Sequence, residues 1–138
     1  MDPHFYLGNL YLENGDFELA KAQFRTCILL TPKIVDPYFL LANSHLELAE
    51  YDSSMWLSSD ALRIWPEDNR FRDIRALTFL NTNQPDSAIN EVGEMLFRDA
   101  YNPDLWKKLI GYYNVLGMKE EAQTTYQDAV NRGILSAQ

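Results

Sequence analysis

Three residue types in this 138-residue chain could carry out chemistry: glycines near its start, two histidines and one cysteine. The stretch LGNLYLENGDFELAKAQF, residues 7–24, contains Gly8 and Gly15, and a glycine-rich loop can close its backbone N–H groups around a phosphate. A phosphate loop needs a preceding strand and the spacing Gly-x-x-x-x-Gly-Lys-Ser/Thr or Gly-x-Gly-x-x-Gly. Neither spacing is present, so the stretch is better explained by two helices that pack against each other.

The histidines and the cysteine also lack the neighbours that catalysis or metal binding requires. His4 and His45 are not part of a His-Glu-x-x-His spacing, and we interpret both as packed structural residues. Cys27 has Lys21 and Arg25 nearby in sequence but no histidine within a helical turn, which disfavours a nucleophilic role. No pair of carboxylates is isolated in an apolar setting. The sequence therefore predicts a protein that is not an enzyme and that needs no cofactor or metal.

Composition restricts the class of partner. Twelve Lys and Arg residues against twenty Asp and Glu residues give a net charge of −8, which argues against nucleic acids and anionic membranes. An apolar fraction of 46% with 13% aromatic residues is typical of a globular protein. The chain shows no signal peptide and no apolar run long enough to span a membrane, so we expect no membrane insertion and, for the chain as given, a cytoplasmic location.

A pattern of packing residues recurs every 34 residues. The small-residue positions begin with Gly8 and Ala20 and continue as Ala42, Ala76, Ala88 and Ala122. The aromatic position of Tyr11 is followed by His45, Phe79 and Tyr113, and that of Phe24 by Ser58, Val92 and Tyr126. Within each copy the apolar residues have helical spacing, which predicts two helices per copy.

The pattern resembles the tetratricopeptide repeat (TPR) family, whose signature W-x2-L-G-x2-Y, A-x3-F, P has a period of 34. The first and fourth copies match it well, the second moderately, and the third is degenerate. The resemblance implies an all-α fold, a right-handed α-solenoid (superhelix) of four helix-turn-helix repeats in a single domain, residues 1–138. The repeats run over about 1–34, 35–68, 69–102 and 103–136.

Turn residues support the same helices. Gly15 and Gly117 are placed to adopt the left-handed conformation that ends a helix, and Asp16 is placed to cap the next one. Pro85 fits the first turn of a helix.

The second repeat departs from the packing pattern. Ser54 and Ser58 stand where alanine and an aromatic residue belong, and we expect Leu57 and Trp56 to turn inward as compensation. Trp56 and Trp65 are alternatively candidates for a second contact surface on the convex side.

The TPR resemblance also implies a function: a concave groove, lined by the first helix of each repeat, that holds a peptide or helix of a partner protein. The predicted groove residues are Phe5, Tyr6, Asn9, Leu12, Glu13, Phe39, Leu40, Asn43, Leu46, Glu47, Arg70, Asp73, Ile74, Leu77, Lys107 and Lys108. Asn9 and Asn43 can each donate and accept hydrogen bonds toward a peptide backbone. The aromatic members could instead cover packing between neighbouring first helices.

Charge divides this groove. Arg70, Lys107 and Lys108 favour an acidic group of a ligand in the C-terminal half, whereas Glu13 and Glu47 favour a basic or amide-rich stretch at the other end. A solvated charged face is the alternative. A carboxylate clamp of the kind TPR co-chaperones use is disfavoured, because at best two of its five positions carry the required residue and apolar residues fill others.

Two further hypotheses remain open from the sequence. The chain could be a small assembly or secretion chaperone that shields an apolar client segment. It could also be an oligomeric scaffold that pairs, with a second copy or with adjoining repeats, through a C-terminal repeat lacking a solvating helix. The bare end favours an excised segment of a longer array over a small protein whose end a partner covers.

Overall fold

Helices make up most of the chain, and the computed structural model describes residues 2–137. Eight α-helices and no strand occur in those residues. The helices are α1 (Pro3–Glu13), α2 (Phe17–Leu30), α3 (Val35–Glu47), α4 (Tyr51–Ile64), α5 (Asn69–Asn81), α6 (Pro85–Arg98), α7 (Pro103–Val115) and α8 (Lys119–Asn131). Each predicted repeat supplies two of them, which confirms the all-α helix-turn-helix organisation.

Contacts divide the chain into two compact units, Met1–Thr78 and Phe79–Gln138, and the boundary falls inside α5. Each unit has a core of its own. The organisation as a single domain remains a prediction.

In the first unit, α1 packs on α2, α2 on α3 and α3 on α4. Its largest core cluster consists of the buried residues Ala20, Phe24, Leu41, Ala42, Leu57 and Ile74. The small residues predicted at the helix contacts are buried there. A methyl group on Gly8 would lie 2.6 Å from Cε1 of Phe24, so the absence of a side chain at this position lets α1 approach α2.

The turn between the two helices of a repeat has one backbone geometry in all four copies. Gly15 and Gly117 have φ angles of +78° and +75°, which confirms the predicted left-handed conformation. The same position in the second and third repeats is Ala49, with φ of 59°, and Asn83, with φ of 60°. Alanine is strained in this region because its Cβ crowds the following carbonyl oxygen.

We therefore expect Ala49→Gly to raise the free energy of unfolding by about 0.5–1 kcal/mol, since glycine removes the strain. Urea denaturation followed by circular dichroism measures the change. Gly15→Ala is the matched reverse substitution; open space surrounds the position of its added Cβ, and we expect a loss of about 1 kcal/mol from backbone strain alone. Equal stability of Ala49→Gly and the parent chain would contradict this account.

Capping follows the sequence only in part. Asp2 caps α1, because its Oδ1 accepts a hydrogen bond from the backbone N–H of His4 (2.9 Å). Asp16 lies at the N-cap of α2, but its side chain makes no capping hydrogen bond, so that prediction is wrong. Pro85 occupies the first turn of α6 as expected.

In the second repeat, Ser54 at the alanine position takes part in a small polar network. Ser54 Oγ and Thr78 Oγ1 are 3.0 Å apart, and Thr78 also donates to the carbonyl of Ile74 (2.7 Å). Of the two residues expected to compensate, Leu57 is buried, whereas Trp56 is 68% exposed. The inward orientation considered for Trp56 is therefore wrong.

The third repeat buries an arginine where the pattern has an apolar residue. Arg72 donates from Nη1 to the Pro66 carbonyl (2.8 Å) and to Oδ1 of Asn69 (3.1 Å). The adjacent Phe71 is fully buried and forms a cluster with Ala61 and Leu62 of α4. The Arg72 guanidinium thus donates hydrogen bonds at the start of α5 while the neighbouring Phe71 ring fills the core.

In the second unit, α6 packs on α7 and α7 on α8. Val92, Met95 and Leu105 form its buried cluster. After α8 the chain turns at Gly133, where the backbone N–H of Ile134 donates to the Ala129 carbonyl (2.8 Å). The Tyr126 hydroxyl then donates to the Ser136 carbonyl (3.0 Å), which holds the C-terminal segment against α8.

Candidate functional site

Successive repeats in the first unit are in register on their first helices. Nη2 of Arg70 lies 3.1 Å from Oδ1 of Asp36, and these residues occupy the same repeat position 34 residues apart. Equivalent positions of α3 and α5 therefore lie side by side. We call the predicted groove residues of α1, α3 and α5 the first-helix face; Lys107 and Lys108 belong to α7 in the other unit.

Exposure divides the first-helix face into accessible and buried members. Tyr6 is 59% exposed, and Leu77, Glu13 and Glu47 are also exposed. The half-buried members are Phe5, Asn9, Leu12, Phe39, Leu40, Asn43, Leu46, Arg70 and Asp73. Ile74 is only 2% exposed and belongs to the core cluster, so its side chain is not accessible to a partner.

The two asparagines keep polar capacity on this face. Nδ2 of Asn9 donates to the Phe5 carbonyl one turn earlier (3.0 Å), which uses one of its two amide hydrogens. Asn43 occupies the same position one repeat later and is half-buried. Each amide oxygen can accept a hydrogen bond from a bound backbone.

The phenylalanines of the face take part in packing. The Phe5 ring meets the buried Phe24 ring edge to face, with centroids 6.2 Å apart. Phe39 meets Phe71 of the next first helix in the same way at 6.2 Å. Phe39 therefore covers a contact between neighbouring first helices, as the alternative interpretation of the aromatic residues expects.

Arg70 is engaged within the unit. Its guanidinium bonds Asp68 (2.8 and 3.0 Å) and Asp36 (3.1 Å), and its Cζ lies 4.8 Å from the centroid of the Phe39 ring. The hydrogen bond from Arg70 lowers the pKa of Asp68, and the bond to Asp68, aided by Asp36, raises the pKa of Arg70. The positive charge thus already faces two carboxylates.

The two tryptophans proposed for a convex contact differ in environment. Trp56 points outward, whereas Trp65 is half-buried between Tyr38 (ring centroids 5.1 Å apart) and Phe71 (6.4 Å). On α7, Lys107 is exposed and Lys108 half-buried.

Sequence reasoning missed a charged cluster that joins the first two repeats. Lys21 of α2 is buried, and its Nζ donates to Oε1 of Glu50 (2.6 Å), with Glu18 Oε2 at 3.2 Å. Nδ1 of His45 donates to the same Glu50 oxygen (2.9 Å). Hydrogen bonds from Lys21 and, to a smaller extent, from His45 lower the pKa of Glu50. Burial alone would lower the pKa of Lys21, but the hydrogen bonds to Glu50 and Glu18 outweigh burial and raise the pKa of Lys21. Lys21 and Glu50 are 29 residues apart, and no spacing rule predicts a contact at that distance along the sequence.

The two histidines and the cysteine considered for chemistry are hydrogen-bonded or buried within the chain. His4 Nδ1 lies 2.8 Å from Oε1 of Gln23, and His45 is held by Glu50. Burial, with a contribution from Asp2, raises the pKa of the Cys27 thiol to about 11, which keeps it protonated near neutral pH. Within residues 2–137, no three His, Cys, Asp or Glu side chains are grouped to hold a metal, and no helix is both long and apolar enough to cross a membrane.

Comparison with known proteins agrees with this architecture. The tetratricopeptide repeat family model matches residues 2–34. No curated protein sequence gives a significant match to the chain.

Solved TPR structures share the fold of nearly the whole chain. A thermophilic TPR protein of Thermus thermophilus superposes with a TM-score of 0.76 over 95% of this chain and 74% of its own, at 20% identity. MamA of strain MSR-1 gives 0.71 over 97% and 77%, at 19% identity. Residues 41 to the end of MamA from Desulfovibrio magneticus RS-1 give 0.76 over 94% and 73%, at 15% identity. The chain thus matches the TPR family model by sequence in its first repeat and shares the fold of solved TPR structures over nearly its whole length.

Proposed function

We propose that the chain is a non-catalytic interaction module that holds a segment of a partner protein on the first-helix face of the first unit. The carrying observation is the in-register repetition of Asn9 and Glu13 as Asn43 and Glu47, at positions that the core does not fill. Repeated packing residues are explained by the fold. Repeated amides and carboxylates on a partly open face are better explained by a ligand.

The face combines polar and apolar binding elements. Asn9 and Asn43 supply backbone hydrogen bonds one repeat apart. Tyr6 and Leu40 occupy equivalent positions of α1 and α3 and supply apolar area beside those amides. An extended segment or a helix with apolar anchors meets both requirements.

Charge favours a basic or amide-rich segment on this face. Glu13 and Glu47 are exposed, whereas Arg70 already contacts Asp36 and Asp68. An acidic ligand group would meet a guanidinium whose charge these two carboxylates already balance. Lys107 and Lys108 remain proposed contacts for an acidic group in the second unit.

Neither alternative function has an equally specific observation. The oligomeric scaffold would pair through the C-terminal repeat, where the Tyr126 hydroxyl donates within the chain to the Ser136 carbonyl. The chaperone hypothesis uses the same first-helix face and differs in the client, which would be apolar throughout. The composition of bound peptides separates it from the leading proposal.

Peptides selected from a phage-displayed library, then measured by fluorescence anisotropy, test the proposal. Asn9→Ala plus Asn43→Ala should weaken binding of the selected peptides by about thirtyfold, since two hydrogen bonds contribute about 1 kcal/mol each. Asn90→Ala plus Gln123→Ala is the matched control, because it removes two exposed amides from the second helices α6 and α8. Equal loss in both double variants, or no loss in the first, would refute the groove.

A further inference from the structure

A second apolar surface of the first unit lies where its second helices end. Leu30 and Ile64 are the last residues of α2 and α4, occupy the same repeat position, and are 62% and 53% exposed. Leu29 and Ile34, close to Leu30 in the chain, are 83% and 51% exposed. We call these four residues, with the two pockets described next, the helix-end surface.

Two pockets occupy corresponding places in successive repeats. The first, of about 160 Å³, is lined by Phe5, Cys27, Ile34 and Pro37 together with Asp2, Asp36 and Thr31. The second, of about 650 Å³, is lined by Ile64, Trp65 and Pro66 together with Glu67, Asp68, Asn69, Arg70 and Asp73. Ile34 and Asp36 of the first pocket correspond to Asp68 and Arg70 of the second. The contact between Asp36 and Arg70 joins the two pockets along one edge.

The walls of these pockets are strongly acidic. Together they contain five carboxylates, Asp2, Asp36, Glu67, Asp68 and Asp73, and one guanidinium, which gives a formal charge of −4. Lys33, in the turn between α2 and α3, adds one cation nearby. Exposed aliphatic side chains beside an excess of carboxylates match a partner with apolar residues flanked by lysine or arginine.

We propose that the helix-end surface is a second docking site and that it takes a basic amphipathic helix of a partner protein. The apolar side of that helix covers Leu30 and Ile64, and its cations face the carboxylates of the two pockets. The site shares Phe5, Arg70 and Asp73 with the first-helix face but does not include Asn9 or Asn43.

Two labelled model peptides of about fourteen residues, roughly four helical turns, test the proposal. Both have the same amphipathic arrangement of leucines; one carries lysine and the other glutamate at the polar positions. We expect anisotropy titration to show binding of the lysine peptide only, weakened by added salt. Leu30→Ser plus Ile64→Ser should reduce its affinity about tenfold. Glu67→Lys should weaken the lysine peptide without removing any apolar contact.

Controls separate this site from the groove and from nonspecific attraction. Leu19→Ser plus Val115→Ser removes two exposed apolar side chains elsewhere and should leave binding unchanged. Asn9→Ala plus Asn43→Ala should also leave it unchanged, whatever its effect on the groove. Equal binding of the glutamate peptide, or equal loss in the Leu19 and Val115 control, would overturn the proposal. Light scattering that shows a dimer abolished by Leu30→Ser plus Ile64→Ser would overturn it in favour of a second copy.

Discussion

Replacing Gly8 by alanine should lower the free energy of unfolding by about 1–3 kcal/mol. The new Cβ would lie 2.6 Å from Cε1 and 2.9 Å from Cζ of Phe24, whose ring is fully buried. Because the ring packs against the core on its other sides, it cannot move away without opening a gap. Alanine improves helix propensity by about 1 kcal/mol, and the expected loss exceeds that gain. Urea denaturation followed by circular dichroism measures the difference.

Gly111→Ala gives the matched control, since Gly111 lies in the interior of α7 and nothing is within 4 Å of its added Cβ. This variant should be as stable as the parent chain or more stable by up to about 1 kcal/mol. Phe24→Leu in the Gly8→Ala background should recover part of the loss by making room. If Gly8→Ala proves as stable as Gly111→Ala, the contact between α1 and α2 tolerates a methyl group at position 8, and the expected clash with Phe24 is wrong.

Removal of the Glu50 carboxylate should be comparably damaging. Glu50→Ala leaves the buried Lys21 ammonium without its closest acceptor, and Glu18 remains only on the exposed side. A buried donor left unsatisfied costs about 1–3 kcal/mol, more when it is charged. Unfolding in urea at neutral pH measures the loss, and amide hydrogen exchange should locate it in α2 to α4.

The effect of Glu50→Ala should depend on pH. The pKa of Glu50 is lower in the folded chain, so its stabilisation is present above the unfolded value of about 4.3 and is lost as pH falls through the folded value. The pKa of Lys21 is raised, so its contribution is present below about 10.4 and is lost as pH rises through the folded value. The difference between variant and parent should be largest between these limits.

Glu47→Ala is the surface control for Glu50→Ala. Its carboxylate is exposed on α3, and its removal should change stability by no more than about 0.5 kcal/mol. A Glu50→Ala difference that stays constant from neutral pH to pH values well below about 4 would show that the charge pair is not its source.

The helices could be predicted closely because one period organises the whole chain. The turn position illustrates how far this extends: Gly15 and Gly117 identify it by residue type, and Ala49 and Asn83 keep the same φ without glycine. Packing, rather than the turn residue, fixes the backbone in the middle repeats. The comparisons show the same difference between sequence and fold. The family model matches residues 2–34 by sequence, whereas the Thermus thermophilus structure covers 95% of the chain.

The site was less predictable, because side-chain reach does not follow from repeat position. Arg70 occupies a predicted ligand position, yet its length lets it reach Asp36 and the Phe39 ring. Ile74 follows the register of Tyr6 and Leu40, but α5 places it in the core. The residues that Arg70 and Ile74 contact lie partly in other repeats, so the position of a residue within its own repeat does not identify them.

The Lys21, Glu50 and His45 cluster has a consequence for how the chain comes apart. In a linear array, each repeat is held chiefly by its contact with the next, and the terminal repeat frays most readily. Here one carboxylate oxygen binds a side chain of α2 and a side chain of α3. Peeling away the first helical hairpin would break this shared bond as well as the apolar contact. The first two repeats therefore form one cooperative block.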